Sequence, residues 1–459
     1  MSEFTRTKIV CTIGPATWNP NVMKDIINNG MNCARVNGAF ADKDELNKVT
    51  KLVRDVSREV ALMVDVKGPE IRLNKFSEAK KISQNSIVKI GNDNKEEIYI
   101  ANYKDLYKLI NIGQKIVVGD GDVEMIVEDI KNTTMYCKVN FGNLLKPGKA
   151  INLPGLKYTA SILTEKDIEN LEHAINLDWD YVSASFIQNA SSAREIKKYL
   201  KNSKMKLIAK IEDEEGVNNI KEILDEVDGV MIARGGLGVE LGIEKVPIAQ
   251  RIITEEAIKK GKLVITATQM LESMTYNPIP TRAEANDVAT AVFLGTDAVM
   301  LSGETSAGMY PAETVKMMKK IIIEAEKSNY YQKYFVNYRY KNENYAKLDD
   351  LIKSNIDNIF VYTELERNLI DLISYVANLE IKSKIFVLIS NIELSKQICL
   401  FKGVNWLLIQ SMGQFEDINQ LKEYIITHFA DLINTKNHQN EKRKALIHYS
   451  NNEISYCLV

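Results

Sequence analysis

Eight short apolar runs recur between Lys8 and Gly303: KIVCTI, NCARVN, ALMVDV, YVSASF, LIAKIE, GVMIAR, LVITAT and AVMLSG. Each has the length of a strand. Between most of them lie stretches with helical spacing of apolar positions, such as NPNVMKDIINNG and SSAREIKKYLKNS, closed by turn residues. Strand alternating with helix predicts a parallel sheet, and eight such units predict a closed (β/α)8 barrel. The rhythm breaks once. From Asp65 to Tyr181 the interval is far longer than a crossover requires, and SIVKI, EEIYI, QKIVV and TMYCKVNF alternate in polarity with Gly, Asn and Asp between them. That pattern predicts a small β domain inserted into the barrel. After the helix expected near Pro311 to Lys327, the stretch NYYQKYFVNYRYKNENY reads as a connector. NIFVYT, KIFVLIS, VNWLLIQ, KALIHYS and ISYCLV then alternate with helical segments and predict a separate α/β domain, whose tract NTKNHQNEKRK reads as a solvated loop. The expected boundaries are 1–71 and 152–328 for the barrel, 72–151 for the inserted β lid and 329–459 for the C-terminal α/β domain.

Composition narrows the function classes. A chain of 459 residues exceeds what one core organises, and 45% apolar with 26% charged residues is ordinary for a globular protein. A net charge of -2 offers no general attraction to nucleic acid or to an anionic membrane, and no apolar run is long enough to span a bilayer. With a polar start, MSEFTRTKIVCTIG, the expectation is a cytoplasmic protein without nucleic-acid or membrane partners. The five cysteines are scattered and read as reduced thiols, while four histidines make a histidine-based triad or metal cluster a poor explanation.

Chemistry in such a barrel gathers at the carboxyl ends of the strands. The side chains expected there are Arg35 and Asn37, Asp65 and Lys67, Ser183 and Ser185, Lys210 and Glu212, Arg234, Thr266 and Thr268, and Ser302 and Glu304. Cations, hydroxyls and a carboxylate suit a phosphorylated anion held with a metal ion. Lys210 and Glu212, two apart on a strand, share a face and form either a structural ion pair or part of a site. Arg72, in DVKGPEIR, stands at the mouth of the inserted domain, where a lid carries a cation over a nucleotide. The run IARGGLGVE does not fit the G-x-G-x-x-G fingerprint, because the third position falls on Leu241. It is either a tight turn or a helix start whose N–H groups meet an anion.

The tracts TKIVCTIGPAT, MNCARVN, DVKGPEIR, INLPG, TEKD, SASFI, AKIEDEEGV, IARGGLGVE, ATQMLESM, PTRAEANDVA and DAVMLSGETSAGMYP resemble the pyruvate kinase family, in the family's order, from residue 7 to about residue 314. The resemblance implies phosphoryl transfer from phosphoenolpyruvate to ADP, giving pyruvate and ATP in glycolysis. It implies Mg2+ or Mn2+ together with K+, and a homotetramer. By this resemblance Lys210 steadies the phosphoryl group and the enolate, Arg35 contacts phosphate, Ser185 lines the same pocket and Thr268 lies beside the substrate carboxylate. Gly235 and Gly236 offer backbone N–H groups to that carboxylate. Asn37, Arg72 and Lys166 lie near the nucleotide, Glu212 is a magnesium ligand, and Asn37, Asp65 and the Val66 carbonyl are potassium ligands.

Several positions depart from the family's pattern, among them Val66 for a threonine and GDG at 119–121 for DDG, and three fall in the metal and nucleotide shells. Gly236 stands where the family has a metal-ligating aspartate, Ala39 where it has a potassium-ligating serine, and Phe40 where it has a nucleotide-side histidine. Glu214 is a candidate replacement for the missing carboxylate if the strand runs on past Glu212. Two readings follow: a pyruvate kinase with an impaired metal site, or a catalytically weak paralogue acting as a regulatory or structural binding protein. In the C-terminal domain, LISNIELSK puts Glu393 where regulated members hold a sugar phosphate, and no activation by fructose bisphosphate is expected.

Overall fold

The computed structural model describes residues 5–331 except 69, 93, 104, 120 and 157–161, and beyond them chiefly 356–363, 366–377, 383–410, 415–429, 445–450 and 454–458. The tract NTKNHQNEKRK and most of the tyrosine-rich connector lie outside the described residues.

The eight expected runs form a closed barrel of parallel strands: β1 Lys8–Ile13, β2 Cys33–Asn37, β3 Ala61–Val66, β4 Tyr181–Ala184, β5 Lys206–Ile211, β6 Gly229–Ala233, β7 Leu263–Ala267 and β8 Ala298–Leu301. Each pairs with its neighbours in sequence, and β1 closes on β8 through Lys8↔Ala298 to Cys11↔Leu301. Every residue of β1 and β3 is buried, because one face of each strand packs inside the barrel and the other against the helices.

Antiparallel strands between Ile71 and Asn152 form a six-stranded sheet with a core of its own, including Ile90, Leu106, Met125, Cys137 and Val139. Val123–Lys131 and Thr134–Phe141 alternate between buried and open positions, as a sheet with one packed face requires. The run EEIYI does not form the expected strand; Tyr99 and Ile100 make only isolated bridges, to Gly91 and Leu73. The chain leaves β3 through Gly68, whose φ of +69° and approach of 2.9 Å between an added Cβ and the Ile162 carbonyl admit no side chain. Asp167 fixes that exit by accepting the N–H groups of Lys67 (3.0 Å) and Gly68 (3.2 Å).

The C-terminal region is a five-stranded sheet. Asn358–Thr363, Lys384–Ile389, Val404–Leu408 and Ala445–Ser450 run parallel, and Ile454–Leu458 is an antiparallel edge. It docks on the amino ends of the barrel strands. Lys402 Nζ donates to the Gly295 carbonyl (2.7 Å), Lys8 Nζ to that of Val404 (2.7 Å), and Gly403 N to that of Arg6 (2.9 Å). The opposite, carboxyl end of the barrel is left to the inserted domain and the site.

Candidate active site

Four ionic side chains from neighbouring strands meet on the carboxyl rim. Arg35, midway along the short β2, places Nη2 2.6 Å from Asp65 Oδ2 and Nη1 2.9 Å from Thr12 Oγ1. Lys210, near the end of β5, lies 3.3 Å from Asp65 Oδ1 and 3.2 Å from Glu212 Oε1, and donates to Ser185 Oγ at 2.5 Å. Ser183 Oγ donates to Asp65 Oδ1 (2.7 Å), and the Phe186 N–H reaches Glu212 Oε2 (3.3 Å). Arg35, Asp65 and Lys210 are all buried.

Burial opposes the charge on Lys210, but Asp65 and then Glu212 outweigh it and hold the ammonium above its ordinary range. Burial likewise acts to raise Asp65; Arg35, Lys210 and the Ser183 hydroxyl overcome it and hold the carboxyl below its usual value. Two cations facing two carboxylates are electrically balanced, so an anion enters most favourably together with a cation. Arg35 Nε is buried with no hydrogen-bond partner among the described residues, a donor left over for such an anion.

After β6 the chain turns directly into the helix Arg234–Leu241, which packs beside β5 and β7. GGLG is thus a helix start rather than a free turn, and its first N–H groups have no carbonyl within the helix. Gly235 N–H is taken by Thr268 Oγ1 (2.9 Å), which itself donates to the Ala267 carbonyl (2.7 Å). At Gly236 an added Cβ would stand 3.0 Å from Glu212 Cβ and 3.3 Å from its carbonyl oxygen. The helix therefore lies closer to the end of β5 than a side chain at 236 accepts without a shift of a few tenths of an ångström.

Glu214 is not beside Glu212 in the way strand alternation implied. The strand ends at Ile211, Asp213 caps the helix Glu214–Asn218 by accepting the Gly216 N–H (2.8 Å), and Glu214 is exposed on its first turn. A different carboxylate shares this part of the rim. Glu240, one helical turn beyond Gly236, accepts the Gly155 N–H at the return from the inserted domain. Burial, then Asp213 and Glu212, push it up to about 7. It was legible as position i+4 from Gly236 only once the run was known to be a helix.

The remaining candidates lie toward the inserted domain. Lys166 Nζ donates to the Ala39 carbonyl (3.0 Å) and is exposed, and Phe40 is 75% exposed beside it. Arg72 donates to the Gly148 carbonyl (2.9 Å) and pairs with Glu70, which also pairs with Lys67 (2.6 Å). Arg234, counted above among the rim cations, is turned instead onto backbone carbonyls and Asp287. Glu304 is buried and accepts from the N–H groups of Leu271 and Ser302.

The donors differ in how well they fit the two kinds of ion. Magnesium is commonly held by one or two carboxylates completed by substrate phosphates and water, and Glu212, on the rim beside Lys210, suits that arrangement. For potassium, Asp65 is already engaged by two cations, the Val66 carbonyl accepts the Ser185 N–H (3.0 Å), and Asn37 Oδ1 accepts the Ala39 N–H (3.2 Å). Each of these oxygens keeps a further lone pair, so a monovalent ion would have to share them with the bonds already made. Among the described residues no group of three His, Cys, Asp or Glu is poised around a common metal position.

Fold and rim together define a (β/α)8-barrel protein with a small β domain inserted after β3 and a buried Lys–Arg–carboxylate site at the carboxyl ends of its strands. The family model described as pyruvate kinase, barrel domain, matches residues 4–315, and the chain belongs to the pyruvate kinase family. It is 41% identical over 340 residues to the pyruvate kinases of Staphylococcus aureus strains MRSA252 and USA300; the match takes in 72% of this chain and 58% of each of theirs. The chain thus spans less than two thirds of the length of these relatives. Among the described residues no helix is long and apolar enough to cross a membrane.

Proposed function

We propose that the chain transfers a phosphoryl group from phosphoenolpyruvate to ADP. The observation that carries this reading is the buried set of Lys210, Arg35, Asp65 and Ser185, with Lys210 kept charged and Arg35 Nε left unmatched. In the reaction the bond between phosphorus and the enol oxygen breaks, a bond from phosphorus to a terminal ADP oxygen forms, and the enolate takes a proton on carbon. Lys210 supplies positive charge where negative charge moves between the two oxygens, and its fixed contacts to Ser185 and Asp65 mean little reorganisation is needed. Arg35 directs Nε to the phosphoryl oxygens. The helix start at Gly235 and Gly236 faces the carboxylate, with Thr268, whose Oγ1 accepts the Gly235 N–H, beside it for delivery of the proton to the enolate carbon. Arg72, Asn37 and Lys166 make up the nucleotide side. A divalent ion, Mg2+ or Mn2+, held through Glu212 would supply further charge on the same oxygens.

A cytoplasmic glycolytic enzyme follows from this reading, as does the family's homotetramer, which would cover the exposed Ile243, Ile248, Ile252, Tyr276 and Ile279. A second reading, a weak paralogue acting through binding or assembly, is favoured by one observation: a Cβ at 236 would stand 3.0 Å from Glu212 Cβ, so the rim helix would have to shift slightly to take an aspartate there. The test is pyruvate formation from phosphoenolpyruvate and ADP with Mg2+ or Mn2+, with and without K+. Turnover that disappears in Lys210→Met is expected. Silence in the unaltered chain, relieved in Gly236→Asp, would give the second reading instead.

A further inference from the structure

We propose that Arg234 is a positioning residue whose guanidinium, braced by Asp287, holds a left-handed turn at Thr268–Gln269 and thereby sets the Thr268 hydroxyl against the rim helix. The turn is the less expected half of the pair. Thr268 has φ +69° and Gln269 φ +51°, the left-handed region that non-glycine residues enter rarely and β-branched residues hardly at all. Such a conformation persists only where its surroundings over-determine it.

Arg234 supplies the constraint. Nε donates to the carbonyls of Ala267 and Thr268, each at 3.2 Å. Nη2 donates to the carbonyls of Thr268 (2.6 Å) and Gln269 (3.2 Å) and approaches Met270 Sδ (2.9 Å). Nη1 pairs with Asp287 at 2.7 Å, and the arginine side chain is only 10% exposed. Three consecutive carbonyls converge on one planar cation because the two positive φ angles turn them to the same side. A lysine offers a single point of donation and cannot span them.

Arg234 is also the first residue of the rim helix. The Gly235 N–H that follows it donates to Thr268 Oγ1, and that hydroxyl donates to the Ala267 carbonyl, itself held by Arg234. The arginine thus ties the helix start and the turn into one unit. It spends its charge on the backbone and on Asp287, so it orients the rim rather than binding the anion. The effect on turnover rests on the proposed function; the effect on the backbone does not.

Hydrogen exchange of the amides at 267–271, read against the barrel strands, tests this in the full-length chain. Arg234→Met is expected to speed exchange in that segment by about tenfold or more, and Asp287→Asn by less, with strand amides unchanged. Gln269→Gly added to Arg234→Met should recover much of the lost protection, since glycine enters the left-handed region freely. In turnover, kcat should fall by about tenfold or more with KM for phosphoenolpyruvate changed less than about threefold, and Arg234→Lys should not restore it. Unchanged exchange at 267–271, a uniform rise throughout the molecule, or a double variant no better than the single one would overturn the proposal. If Arg234→Met does not fold, Asp287→Asn with and without Gln269→Gly carries the same comparison. A chain that shows these exchange differences but no turnover would retain the clamp and lose only the proposed function.

Discussion

At the carboxyl end of the barrel, Lys210 is enclosed by Asp65 and Glu212, and its ammonium is held above its ordinary range in spite of burial. At the amino end, Lys8 and Lys402 are just as buried, donate to the carbonyls of Val404 and Gly295, and are pushed down to about 8, burial being the largest cause in both. The difference lies in what faces each ammonium. Two close carboxylates repay the loss of water, whereas carbonyl dipoles and more distant charges repay only part of it. One end of the barrel keeps a cation charged between carboxylates, and the other uses its lysines to dock the C-terminal domain.

Breaking the charged end should have the largest effect. Lys210→Met removes the cation from between Asp65 and Glu212 and should lower pyruvate formation by roughly a thousandfold, measured by coupled assay. It should not release the C-terminal domain, whose contacts lie at the other end. Gly236→Asp should act in the opposite sense. If the glycine limits the metal site, the variant binds Mn2+ more tightly and turns over about tenfold or more faster, at the cost of a small displacement of the rim helix from Glu212. Unchanged Mn2+ affinity by calorimetry would show that the helix has closed over the position.

The docking end is sharpened by pH. The folded state of Lys8 and Lys402 releases its protons near pH 8, while in the unfolded chain they remain to about the ordinary lysine value of 10.5. Over that window the unfolded state binds more protons, so these two groups make stability rise with pH. Lys210 has the opposite shift: its contribution is complete below about 10.5 and is lost above it. Denaturant melts between pH 7 and 10 should therefore show a smaller rise in Lys402→Met than in the unaltered chain. An identical slope would mean that the Lys402 site is hydrated in solution. The smallest effect is expected from fructose bisphosphate, which should leave substrate saturation unmoved. Glu393 stands in the first turn of the helix Ile392–Ile398 and pairs with the buried Lys396, which sets a carboxylate at that helix start.

Much of the architecture was legible because it rests on periodicity. All eight barrel strands fall on the apolar runs, and the break after Asp65 marks the antiparallel insert. EEIYI misled because alternation describes a strand's faces and says nothing of whether a neighbour exists to pair with it. At the rim, residue types at strand ends named Arg35, Asp65, Ser185, Lys210 and Glu212, and the barrel does gather them. What failed was direction. Glu214 was placed by extending a strand alternation that Asp213 interrupts with a helix cap. Arg234 was counted as a free cation because a sequence does not show that carbonyls of a left-handed turn will claim it. Glu240 was passed over because its relation to Gly236 exists only on a helix.

The central claim is that the buried Lys210 cluster serves phosphoryl transfer, and phosphorus NMR of phosphoenolpyruvate and ADP with Mg2+, followed over time with the unaltered chain and with Lys210→Met, tests it most directly. The account predicts that the phosphoenolpyruvate resonance declines as ATP resonances grow with the unaltered chain, and that neither changes with Lys210→Met. No ATP from the unaltered chain, or equal conversion by both, would contradict it.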